Sequence, residues 1–374
     1  MNRNRRLASM PAIILAAGSA LAGPLDPPAG PVGSTGKTLT EVQPRIAINA
    51  VNTPGDADSL FKITQPGSYY LTGNVTGVGG KHGIEVEAGG VTIDLMGFTL
   101  SGVAGMGAMD GIRGSFAIEN IKVMNGTIRA WGADGIDFSA YPRCSVDGVR
   151  AIGNVGRGIS LGSDAIVAEC VASNNSAGIA AQGSTAVRSC TASSNSGHGI
   201  SVSNDSVVET CTASSNGING IHAASGSVVR ACAATLNAGR GISVHTGSSV
   251  IGCTASENGG DGIEITARSL AMDNVCTGNG VTTQQGAGIY ASASDNRIEG
   301  NHCQGNDLGL DIDGARSVIV RNTCASNTVL NWAIEANNLY GPIIDRSAAT
   351  TAAVVGNAAA GTLGTTDPNA NFTH

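Results

Sequence analysis

The chain has 374 residues, 21 Lys and Arg against 28 Asp and Glu, and a formal net charge of −7. Aromatic residues make up 3% and glycine fills 54 positions. The absence of a basic stripe argues against nucleic acid as a partner, and the scarcity of rings against an extended sugar-stacking platform.

Residues 1–22 read as a secretory signal. Arg3, Arg5 and Arg6 form the basic start, a short apolar run follows, and Ala20-Leu21-Ala22 is a small-residue cleavage site. The run is too short to span a bilayer and Pro11 interrupts it; no later segment is a spanning candidate. The expected location is secreted, periplasmic or cell-surface. Removal of the signal leaves 18 basic and 28 acidic residues, a net of −10, which repels a polyuronate unless a divalent cation bridges the two. Residues 23–37 are a Pro/Gly-rich spacer. Residues 38–80 carry little repeat character and are expected to cap the next segment, with short strands at 45–48 and 60–63.

The body, residues 81–340, is one repeating sentence. Cys170, Cys190, Cys211, Cys232 and Cys253 fall 20, 21, 21 and 21 residues apart. Each is preceded by a valine three residues earlier and followed by a Gly-Ile step, from Gly178-Ile179 to Gly262-Ile263. A fixed period of this size means stacked supersecondary units. The apolar residues alternate with period two around Gly-Ile, around Cys-x-Ala and around the valines, and Gly or Asn punctuates each turn. Three short strands per turn describe an all-β, single-stranded parallel β-helix. The Gly-Ile step extends back to Gly83-Ile84 and forward to Ala333-Ile334, about twelve coils, or on the order of 58 Å at roughly 4.8 Å per coil. A loop at 282–285 lengthens one coil, and residues 341–374 form a C-terminal cap and tail.

The Gly-Ile, Val-Val, Cys-Thr-Ala-Ser-Ser-Asn cycle, with Gly-Ser-Tyr-Tyr-Leu at 67–71 and Val-Thr-Ile-Asp-Leu-Met-Gly at 91–97, resembles secreted bacterial right-handed parallel β-helix proteins of the pectate-lyase-like superfamily. The resemblance implies the fold; the superfamily contains lyases, hydrolases, epimerases and adhesins, so it leaves the activity open.

Nine cysteines in an exported chain invite a disulfide framework. Stacked coils place parallel Cβ vectors about 4.8 Å apart, beyond the roughly 3.8 Å that a disulfide prefers. Eight are therefore read as an internal ladder, with Cys144 out of register and Val149 in the equivalent slot. Asn154, Asn195, Asn216, Asn237 and Asn258 read as a stacked amide ladder at a turn.

Chemistry is expected on the outer face beside Gly-Ile. Charge is densest at Asp110, Arg113, Asp134, Asp137 and Arg157, with a smaller acidic set at Asp307, Asp311 and Asp313. His198 and His222 are expected to be exposed polar spacers. Two carboxylates about 5 Å apart suit retaining glycoside hydrolysis and a wider pair suits inversion. The resemblance offers the alternative of Asp oxygens holding Ca²⁺ on a uronate while an arginine acts as base. In either case Asp134 and Asp137 are the acid/base or metal carboxylates, Asp110 their partner, and Arg113 or Arg157 the stabiliser or base. The bland reading is a set of salt-bridged surface ladders. The expectation is a monomer engaging polysaccharide or cell-surface glycan, as a polysaccharide lyase or glycoside hydrolase. The alternatives are a non-catalytic adhesion or spacer protein, and ice or crystal-surface binding through Thr191/Ser193, Thr212/Ser214 and Thr254/Ser256.

Overall fold

The computed structural model describes residues 45–116, 118–280, 286–345 and 366–374. The expected signal at 1–22, the spacer at 23–37 and the loop at 282–285 lie outside them, as does most of the expected C-terminal tail. The described residues form strands and turns without a helix. Every strand pair is parallel, as a solenoid requires. The Gly-Ile strands make one thirteen-stranded sheet, and the valine and cysteine–alanine strands join in a second sheet that wraps the other sides. The stack is thus slightly taller than the twelve coils expected. It also starts earlier than residue 81: Ser59–Ile63 pairs in register with His82–Val86, and Gly67–Tyr70 with Val91–Asp94.

Each coil turns three corners, and each corner uses the left-handed region immediately before a buried ladder residue. Thr210 (φ 52°) precedes Cys211, Ser215 (φ 56°) precedes Asn216, and Asp205 (φ 58°) precedes Ser206. The conformation costs a non-glycine residue about 1–2 kcal/mol. It recurs because the ladder residue that follows each corner satisfies an amide on the neighbouring coil. The Cys190 amide donates to Cys211 Sγ (3.5 Å), the Asn195 amide to Asn216 Oδ1 (3.1 Å), and the Ser206 amide to Ser227 Oγ (3.3 Å). Orphaning one buried polar group costs about 1–3 kcal/mol, comparable to the corner's strain.

The asparagine column is the best-satisfied of the three. Asn216 Nδ2 donates to Asn237 Oδ1 (2.9 Å) and to the Ala192 carbonyl (3.1 Å), and the pattern runs from Asn154 to Asn327. This amide also explains the glycine of the Gly-Ile step. A Cβ on Gly220 would lie 2.6 Å from Asn237 Nδ2 and 2.7 Å from the Gly241 carbonyl oxygen.

All nine cysteines are buried and free. They do not form one eight-membered ladder. Cys170 to Cys253 share a slot, and Val149 occupies it one coil earlier, since Arg150 pairs with Val171. Cys276, Cys303 and Cys324 instead continue the alanine column, where Cys276 pairs with Ala255. Asn274 takes the old cysteine slot and accepts the Cys253 amide at 2.9 Å. Both slots point inward two residues apart, so a small apolar thiol fits either. Cys144 lies in the serine column, its carbonyl accepting the Ile166 amide as the Ala165 carbonyl accepts that of Ala186.

The last coil corrects a second register. Trp332, not Ile334, pairs with Leu310, so Ala333 occupies the outer slot and Glu335 falls beyond it. A two-residue slip preserves the inward and outward alternation, which is why the pattern alone allowed both.

Candidate functional site

The outer face of the thirteen-stranded sheet is three residues wide. Its front row, before each glycine, reads Ser59, His82, Asp110, Asp134, Arg157, and onward. Its central row stacks Lys62, Glu85, Arg113, Asp137 and Ser160 on successive strands. The five nominated residues, Asp110, Arg113, Asp134, Asp137 and Arg157, therefore share one face over three neighbouring coils. His82, Glu85 and Lys62 complete the cluster and were not nominated. His82 and Glu85 occupy the same slots around Gly83-Ile84, so their signal was present; Lys62 sits in a coil without a Gly-Ile step.

The front row is linked by hydrogen bonds. The Asp134 amide donates to Asp110 Oδ1 (2.9 Å) and the Arg157 amide to Asp134 Oδ1 (2.6 Å). The same slot acts this way elsewhere: Asn219 Oδ1 accepts the Arg240 amide and Asp261 Oδ1 the Ala287 amide. One oxygen of each front-row aspartate is thus structural, which leaves Oδ2 for chemistry. Asp110 Oδ2 lies 3.4 Å from His82 Nδ1. His82 stands between two donors, the Asp110 amide at Nδ1 and Arg113 Nη1 at Nε2, each 2.9 Å away. A second ring proton would face a donor, and burial together with Arg113 pushes His82 below its ordinary value.

Burial is also what moves the carboxyls. Asp110, 8% exposed, is pushed up to about 6 by desolvation, reinforced by the charges of Asp137 and Asp134. Asp134 is raised by the same causes. Burial pushes Glu85 the same way, but hydrogen bonds from Ser59 (2.8 Å) and Lys62 outweigh it and hold it below its ordinary range. Asp137 Oδ1 accepts from the Ser139 amide and hydroxyl (3.0 and 2.7 Å). The cluster thus sets Asp110, poised to exchange a proton, beside Glu85, held ionised, the pattern acid–base work needs.

Two depressions flank it. A cleft of about 420 Å³, lined by Val103, Met106, Gly132, Trp131 and Val155, opens under the turn that leads to Asp110. Trp131 takes the place that asparagine holds in later coils, its amide donating to Asn154 Oδ1, and its buried ring fills the space over Gly83 and Gly111. A polar trough of about 260 Å³ runs along the sheet between Arg157, Ser139, Ser160, Gln182, Ser201 and Ser203. Its floor is small residues because Ser160, Ala180 and Ser201 fill the central row there.

Among the described residues no three His, Cys, Asp or Glu side chains converge on a metal position. The hydroxyl stripe for surface binding is broken by Val171 and Ala233, which pair with Thr191 and Thr212. The acidic set divides. Asp311 faces outward in the central row beside Tyr290, whereas Asp307 is buried and accepts from the Thr328 hydroxyl (2.9 Å). Asp313 accepts from the Tyr290 hydroxyl (2.8 Å), which pushes Tyr290 up to about 12.

The fold is a right-handed parallel β-helix of the pectate-lyase-like type, with a charged patch on the outer face of one sheet. The chain belongs to the family described as right handed beta helix region, whose model matches residues 65–207 and 164–255. Among solved structures, the A-module of the Azotobacter vinelandii mannuronan C-5 epimerase AlgE4 aligns with a TM-score of 0.61 at 16% identity, covering 74% of this chain and 91% of that one. The A-module of Azotobacter vinelandii AlgE6 aligns at 0.60 and 18% identity, covering 82% and 90%. The tailspike protein of E. coli bacteriophage HK620, in complex with a pentasaccharide, aligns at 0.54 and 11% identity, covering 75% and 62%. At these identities the likeness establishes the shared fold. No curated protein sequence matches the chain. Among the described residues no helix is long and apolar enough to cross a membrane.

Proposed function

We propose that this is an exported β-helix protein that lays a polysaccharide along the Gly-Ile sheet and cleaves it at the His82–Asp110–Asp134 row, as a polysaccharide lyase or glycoside hydrolase. The observation that carries the reading is Asp110: a nearly buried carboxyl raised to about 6, with Oδ2 beside His82 and the guanidinium of Arg113 one ring away. In this reading Asp110 carries the proton, Asp134 and Asp137 supply the neighbouring carboxyl groups, and Arg113 offsets charge that develops on the substrate. Arg157, whose Nη1 donates to Ser160 Oγ (3.0 Å), holds the sugar in the trough. The named neighbours support glycan engagement, since two are mannuronan epimerase modules and one is complexed with a pentasaccharide.

A panel of acidic and neutral polysaccharides, read by unsaturated-product absorbance and by reducing ends, tests it. Product formation that falls at least 100-fold in Asp110→Asn and Asp134→Asn is the expected result. Absence of product on every substrate, with and without calcium, moves the chain to the second reading, a non-catalytic spacer or adhesion rod. The shared amide-capping role of Asp110, Asp134, Asn219 and Asp261 is the observation that favours that alternative.

A further inference from the structure

Half of the chain's six histidines meet at the middle of the same face. His198 lies in the front row, His222 in the central row one coil on, and His245 follows the inner Val244 of the next strand. They step diagonally across the sheet in ring contact. His198 and His222 stack at 5.4 Å between centroids, and His222 meets His245 edge-on at 5.0 Å. The Nδ1 atoms of His198 and His222 are buried without a hydrogen-bond partner. Orphaned ring nitrogens in a groove need an explanation. Among the described residues the rings do not form part of a group of three or more metal-ligating side chains.

The surroundings point to an anion. Ser201, Asn219 and Ser243 beside the rings are neutral. The charged groups that reach His222 are Arg240 and Glu264, and Arg240 is already tied to Asp261 (3.0 Å) and Glu264 (3.2 Å). Among the described residues none of the three rings is ion-paired with an acid. The trough ends on Ser201 and Ser203, next to His198, with Arg157 at its other end. A ligand lying in it has a permanent cation at one end, and one that extends past Ser201 reaches the row of imidazoles that begins one strand on.

Resting on the glycan reading above, we propose that the His198–His222–His245 diagonal is a proton-gated subsite for the carboxylate of a uronate unit. Burial holds His198 and His222 below the ordinary histidine value, and for His222 the neighbouring rings add to it. In the free protein His198 and His222 are held toward the neutral form, and the acids flanking the middle of the face repel a polyuronate. A bound carboxylate favours the protonated rings and raises their values, so binding takes up protons. Affinity then rises as pH falls through the bound-state values, and levels off below the free-state ones. The gate sits at mid-face, where Ser201 and Ser243 flank His222 in the central row and Arg240 stands in the front row.

The test is isothermal calorimetry of the whole chain with sodium hexagalacturonate and, separately, neutral cellohexaose. Each is titrated at about pH 5 and about pH 7.5, in two buffers of different ionisation enthalpy. The expected result is hexagalacturonate binding at least about tenfold tighter at the lower pH, with net proton uptake. Uptake and pH response should both disappear in His198→Gln/His222→Gln, while circular dichroism is unchanged. Affinity independent of pH, or a pH response that survives in the double variant, overturns the proposal. Binding of cellohexaose without hexagalacturonate overturns it and leaves the glycan reading standing; no binding of either sugar at either pH sinks both.

Discussion

At the residue scale, single buried polar atoms decide both stability and chemistry. Asp110 is raised above its unfolded value of 3.8 to about 6, so its charged form is the disfavoured one in the folded protein. The sign follows: stability is fully present below the unfolded value, falls as pH rises toward about 6, and stays reduced above it. The difference is on the order of 2–3 kcal/mol. Asp110→Asn keeps the oxygen that accepts the Asp134 amide, so it should raise the melting temperature at pH 8 and leave it nearly unchanged at pH 4. The same substitution should remove an activity limb near pH 6. Equal melting curves for the two proteins at both pH values would show that the carboxyl is not desolvated as described. Asn216→Leu tests the other kind of polar atom. It orphans the Asn195 amide and takes the Nδ2 donor away from Asn237 Oδ1 and the Ala192 carbonyl, and should cost about 3 kcal/mol or more in urea unfolding.

Elements matter here through columns rather than through single strands, each too short to be stable alone. The front of the stack depends on Trp131, whose ring fills space that glycines leave in the coils before it, at Gly77, Gly83 and Gly111. Trp131→Ala should cost about 3–5 kcal/mol. It should also loosen the turn at 102–109 that walls the cleft, so proteolysis should cut there first; a variant cleaved no faster than the parent would separate the indole from that wall. Cys211→Val is expected to cost about 1–3 kcal/mol, because Val149 shows that the volume fits the slot while the Cys190 amide loses its Sγ acceptor.

For the whole molecule, nearest-neighbour coupling sets the distribution of stability. Central coils are held on both sides, whereas the last strand of the thirteen-stranded sheet, Leu330–Ile334, pairs on one side and leaves Leu330 52% exposed. Hydrogen exchange should show amide protection highest around residues 190–260 and falling toward Leu330–Ile334, with protection lost coil by coil as denaturant is added. A single sharp transition with uniform protection would contradict this. The rod also spreads its charged and neutral stations along about 58 Å of one face, the twelve spacings between the first and last of its thirteen strands.

The chain's own sequence determined the solenoid, its three strands per turn, the position of the Gly-Ile sheet and the grouping of Asp110, Arg113, Asp134, Asp137 and Arg157. Period-two alternation and corner chemistry are local, and a 21-residue repeat turns them into columns without further information. The register of the last coil, the transfer of Cys276 to the alanine column and the contact of three histidines were decided only in three dimensions. A two-residue slip leaves every side chain on its original face, so the pattern cannot choose between neighbouring slots. Proton affinities such as that of Asp110 depend on burial and on charges from adjacent coils more than 20 residues away, which no local spacing encodes.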